Sequence, residues 1–88
     1  MTKEEYIKKI KTLSPKLKNW RIIIGQKSSS DFVMGVFFDE TEKQYNVYIN
    51  YERGLSKIRL KTDSEIDAYK RLYNMVMGEI EILSKIKK

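Results

Sequence analysis

Eighty-eight residues with 41% apolar side chains support one globular domain spanning residues 1–88. The chain has neither cysteine nor histidine, which excludes disulfides and thiolate chemistry and removes the usual general base and transition-metal ligands. The formal charge of +6 suits a phosphate-bearing or acidic partner, although fourteen of the 18 basic residues are lysine, as coding bias alone also produces.

In chain order, Thr2 and Glu5 have the spacing of a capping box. Tyr6, Ile7, Ile10 and Leu13 follow at helical spacing, and Ser14-Pro15 stops the run, because the residue before proline is pushed out of helical geometry. This predicts a short amphipathic helix over about residues 3–13. Trp20–Gln26, with three consecutive isoleucines, predicts a strand. Ser28-Ser29-Ser30-Asp31 predicts a turn, and Phe32–Phe38 a second strand. Asp39–Lys43 reads as a polar loop before a third strand, Tyr45–Tyr51. Glu52-Arg53-Gly54 reads as a tight hairpin loop in which Gly54 takes positive φ, followed by a fourth strand, Leu55–Lys61. Short connections make an antiparallel meander the simplest arrangement.

Thr62 and Glu65 form a second capping-box spacing, with Asp63, Glu65 and Asp67 in the first turn and Lys85, Lys87 and Lys88 at the far end. Ile66, Tyr69, Tyr73, Val76, Ile80 and Leu83 make the apolar stripe between them, widened by Leu72, Met75, Ile82 and Ile86. A helix of about 24 residues is about 36 Å long, whereas a seven-residue strand is about 23 Å long. Its spare apolar length must meet the first helix, a partner, or a second copy in a homodimer through this C-terminal helix. The fold expected is α+β: a four-stranded antiparallel meander with a short N-terminal and a long C-terminal helix on one face, in the order α-β-β-β-β-α.

Alternation divides the strands into two faces. Trp20, Ile22, Ile24, Met34, Val36, Phe38, Val47, Ile49, Tyr51, Ile58 and Leu60 are uniformly apolar and are assigned to the core beneath the helices. The other face carries Arg21, Ile23, Gly25, Val33, Gly35, Phe37, Asp39, Asn46, Tyr48, Asn50, Lys57, Arg59 and Lys61. If the helices cover the first face, Phe37 and Tyr48 stand exposed beside Arg21 and Arg59, which suits base stacking or a protein contact. Against this stands the ordinary preference of Tyr and Phe for strands. The partner-binding residues proposed from sequence are therefore Arg21, Phe37, Tyr48, Asn50, Lys57 and Arg59 with Arg53 at the loop tip, itself also readable as a plain charged turn.

No glycine-rich phosphate loop is present, since Gly25, Gly35, Gly54 and Gly78 are scattered. Asp39-Glu40-Thr41-Glu42 lacks the ligand spacing of a calcium loop and reads as a solvated acidic loop. No catalytic residue, metal or cofactor is expected. No apolar run reaches the roughly 18 residues a bilayer requires, and Met1–Glu5 lacks the apolar core of a signal peptide, so a cytoplasmic protein without membrane contact is expected.

Val47-Tyr48-Ile49-Asn50-Tyr51-Glu52-Arg53-Gly54, leading into Thr62-Asp63-Ser64-Glu65-Ile66-Asp67-Ala68, resembles a pattern of small immunity proteins from bacterial polymorphic toxin systems. There a strand ends in Tyr-x-x-Glu-Arg-Gly, and Ser-Glu-x-x-Ala opens a long helix. The matching residues are Tyr48, Tyr51, Glu52, Arg53, Gly54, Ser64, Glu65 and Ala68, with Tyr45-Asn46-Val47-Tyr48 departing from the family's Trp-x-Val-Tyr. The resemblance implies a cytoplasmic, non-enzymatic inhibitor that neutralises a cognate toxin or effector. The competing expectation is a nucleic-acid-binding module using the basic N-terminal helix and the open sheet face. A double-stranded-RNA-binding arrangement is disfavoured by Asp63, Glu65 and Asp67, which would repel phosphate from the start of the last helix.

Overall fold

The computed structural model describes residues 1–86. Helix α1 (Lys3–Leu13) runs into a short 3-10 turn (Ser14–Lys16) and is followed by strands β1 (Arg21–Ile24), β2 (Val33–Asp39) and β3 (Gln44–Asn50). A second 3-10 turn (Glu52–Gly54) leads to β4 (Ser56–Thr62) and helix α2 (Glu65–Ile86). The expected α+β order and the placement of both helices on one face of a four-stranded sheet are found. Lys87 and Lys88, placed by the sequence at the positive end of α2, lie outside the described residues.

Both helix starts follow from short polar side chains. Thr2 Oγ1 accepts from the Glu5 amide at 3.2 Å, and Glu5 accepts from the Thr2 amide at 2.8 Å, completing the expected capping box. The second start differs from expectation. Ser64, not Thr62, caps α2, its hydroxyl accepting from the Asp67 amide at 3.2 Å, while Thr62 Oγ1 accepts from the Ser64 amide and shapes the turn before it. Thr62 is still paired in the sheet, opposite Tyr45, so it cannot begin a helix.

The helices share a direction. Lys3 at the start of α1 meets Glu65 at the start of α2 (3.1 Å), and further along Tyr6 packs on Tyr73 with ring centroids 5.7 Å apart. Beneath them Ile10, Leu17, Met34, Val36, Val47, Ile49, Ala68, Leu72 and Val76 form the core. At 22 residues α2 is about 33 Å long and outruns the strands. Met77 and Ile82 remain exposed along it.

The strand order is β1-β2-β3-β4, but the first pairing departs from a meander. β1 runs parallel to β2 (Arg21 opposite Val33, Ile23 opposite Gly35), whereas β2–β3 and β3–β4 are antiparallel. Parallel neighbours ordinarily need a helical crossover. Here β1 has only four residues, so the chain need return only about 13 Å, and residues 25–32 manage this without a helix. The serine-rich segment expected as a turn is therefore a crossover.

Candidate functional site

Register sets Gly35, Asn46, Tyr48 and Asn50 on the sheet face away from the helices, and the crossover lies across it. Tyr48 donates from its hydroxyl to the Gln26 carbonyl (3.0 Å) and accepts from the Ser28 amide (3.0 Å). Asn50 Nδ2 donates to the carbonyls of Ser28 (2.7 Å) and Ser30 (2.9 Å), and its Oδ1 accepts from the Ser56 hydroxyl (2.7 Å). Asp31 then accepts from the amides of Arg53 and Gly54 at 3.2 and 3.4 Å. Those amides point together because Arg53 (φ 62°) and Gly54 (φ 74°) are both left-handed. Gly54 takes positive φ as expected, and a neighbouring carboxylate occupies the cradle so formed.

The face expected to be open is thus half covered. Tyr48 is fully buried and Asn50 nearly so, which corrects the expectation that Tyr48 stands exposed. Gly35 makes this possible: a Cβ there would lie 2.6 Å from the Tyr48 ring and from the Ile23 carbonyl oxygen. Phe37 is half-buried and packs edge-on against Tyr48 at 5.8 Å. Burial raises the Tyr48 hydroxyl pKa above its ordinary value, an effect partly offset by the Ser28 amide.

A second correction lies in β4. Val47 pairs with Leu60 but Tyr48 pairs with Ile58, so Arg59 is an extra, bulged residue. The bulge reverses the alternation before it. Ile58 faces away from the helices, 43% exposed, and Lys57 stands opposite Ile49 on the helix side. Arg59 donates to the Tyr51 hydroxyl at 2.9 Å. Strict alternation along Lys57-Ile58-Arg59-Leu60-Lys61 conceals the bulge from a reading of sequence.

The seven residues proposed from sequence consequently separate. Arg53, Lys57 and Arg59 are all exposed, following one another along the turn and the free edge strand β4. Arg21 is exposed at the opposite edge, on β1, while Tyr48 and Asn50 hold the crossover and Phe37 packs against Tyr48. Two residues missed from sequence join the first group: Leu55, 56% exposed, and Ile58. Among the described residues no carboxylate lies within 4 Å of the Arg53, Lys57 or Arg59 side-chain nitrogens. This edge therefore presents apolar side chains among cations without near counter-charges.

Some charges elsewhere are engaged locally. Asp39 accepts from the amides of Thr41 and Glu42, and Lys61 pairs with Glu42 at 3.0 Å. Glu65 holds Lys3 and also accepts from the Tyr45 hydroxyl at 3.2 Å. The hydrogen bond to Glu65 raises the Lys3 pKa. Tyr45 is raised by burial first, then by Glu65. Among the described residues no three acidic side chains gather as a metal site, and no helix is long and apolar enough to cross a membrane. Compared with family models, curated proteins and solved structures, the chain matches none of them.

Proposed function

We propose that this chain is a non-catalytic protein-binding module of the immunity type, which neutralises a cognate toxin or effector by covering an acidic surface on it. The observation that carries the reading is the exposed edge along which Leu55 and Ile58 alternate in the chain with Arg53, Lys57 and Arg59. Exposed apolar side chains interspersed with arginine and lysine along one edge have the composition of a contact centre with a charged rim. The toxin-neutralising role rests on the resemblance through Tyr48, Tyr51–Gly54 and Ser64–Ala68. Base stacking on the sheet is disfavoured because the crossover occupies the Tyr48 face.

The test is affinity capture of nuclease-treated lysate from the protein's own source, with wild type beside Leu55→Asp and Arg59→Glu. One stoichiometric protein held by wild type, and at least tenfold (about 1.4 kcal/mol) more weakly by both variants, is the expected result. Partners lost on nuclease treatment would instead move the assignment to nucleic acid, with a steep salt dependence to follow. Arg53→Gly separates turn from side chain. Glycine keeps the left-handed backbone at no steric cost, so binding lost by this variant belongs to the guanidinium.

A further inference from the structure

The two edges of the sheet are unlike. β4 carries the Arg59 bulge and alternates Lys57, Arg59 and Lys61 along its length, devices that discourage another strand from pairing there. β1 has neither. Its register with β2 is unbroken, and Ile22, Ile23 and Ile24 succeed one another with no charge among them. The Arg21 amide donates to Phe32 O at 2.9 Å and the Gly25 amide to Val36 O at 2.8 Å. Residues of odd number thus turn their amides inward to β2. Backbone groups alternate along a strand, so those of Ile22 and Ile24 point outward from the sheet.

Beside this edge a groove of about 420 Å³ opens between α1 and β1, lined by Ile7, Lys11, Ser14, Ile22 and Ile24. Its isoleucines are half-buried, and Lys11 is exposed. The charge around it is one-sided: residues 1–27 hold eight basic and two acidic side chains. Among the described residues neither Lys11 nor Arg21 has a carboxylate within 4 Å.

We infer that the outer edge of β1 accepts an extended segment of a partner protein, alternating apolar and acidic, as a fifth strand. Outward amides and carbonyls of Ile22 and Ile24 supply the main-chain pairing, and alternate apolar side chains of the segment enter the groove against Ile7, Ile22 and Ile24. Its acidic side chains, on the opposite face of the strand, meet Arg21. A second copy of this chain fits poorly, because pairing β1 with β1 would bring two lysine-rich α1 helices side by side. The site lies at the opposite edge from Leu55 and Ile58 and does not depend on how that edge is used.

The test uses three labelled synthetic nonapeptides. One alternates Glu and Val, one alternates Lys and Val, and one is the Glu-Val peptide with alternate amides N-methylated. Anisotropy should show binding of the Glu-Val peptide, with both others at least about tenfold weaker. By NMR hydrogen exchange the amides of Ile22 and Ile24, fast in the free protein, should slow in the complex, while those of Arg21 and Ile23 are slow throughout. Arg21→Glu, at an exposed position on the face the charged side chains occupy, should reverse the preference toward the Lys-Val peptide. Ile24→Pro should abolish binding by deleting an outward amide. If that variant fails to fold, the N-methylated peptide tests the same bond. No binding at millimolar peptide, equal binding of the methylated peptide, or protection mapping to β4 would overturn the inference. Protection of Ile22 and Ile24 that rises with protein concentration alone would assign the edge to a second copy.

Discussion

Tyr48 combines roles that its position in a β-strand does not reveal. Its ring lies over Gly35, and its hydroxyl both donates to and accepts from the crossover. Tyr48→Phe keeps the ring but strands the Gln26 carbonyl and the Ser28 amide, and should cost about 1–3 kcal/mol in urea denaturation at neutral pH. A pH dependence accompanies this. The hydroxyl pKa is raised in the folded protein, so the neutral form is favoured there. Its contribution is complete below the unfolded value near 10 and is lost as pH rises through the folded value. Tyr45 and Tyr69 are raised in the same direction and share in the alkaline decline. Between pH 9 and pH 11, Tyr48→Phe should therefore lose stability less steeply than wild type, an outcome that paired denaturation curves would check. A variant declining as steeply as wild type would mean that the Tyr48 hydroxyl does not titrate differently on folding.

At the scale of elements, most of the fold was legible because it is written in local periodicity. The i, i+3, i+4 spacing of Tyr6, Ile10 and Leu13 and the proline after them set α1, and alternating apolar residues set the strands to within about two residues. Three features escaped because they depend on what a segment meets. The direction of β1 depends on the route of residues 25–32, whose serines suit a turn or a crossover equally. The β4 bulge moves Ile58 outward without breaking alternation in the sequence. The cap of α2 depends on where β4 stops, and Thr62 and Ser64 both have the required chemistry. Ser64→Ala should cost about 1 kcal/mol, and Thr62→Ala less, in thermal or urea unfolding. The reverse order would restore Thr62 as the cap. Of the candidate site, the cationic residues were legible but their apolar companions were not: Ile58 was hidden by the bulge, and Leu55 was read as part of a strand although it precedes β4. One sign of the covered face was present: a glycine on one strand, and Asn46, Tyr48 and Asn50 at period two on another, opposite a serine-rich link.

At the scale of the whole molecule, the central strands are enclosed on both sides: helices above, and below a connection rather than a further element. β2 from Val33 to Val36 and β3 from Asn46 to Asn50 are buried without interruption, whereas β4 is mostly exposed. The groups that hold the crossover all come later in the chain than the crossover itself, in Tyr48, Asn50 and the amides of Arg53 and Gly54. This sets an order in time. The β2–β3 hairpin and its following turn must exist before residues 25–32 have these groups to fasten to, which predicts that the crossover contacts form late in folding. Stopped-flow kinetics of Tyr48→Phe should accordingly show a folding rate close to that of wild type and a faster unfolding rate, as for a contact made after the rate-limiting step. On the ribosome the first quarter of the chain emerges early and waits, its isoleucine-rich strand unpaired until residues from the middle of the chain arrive to receive it.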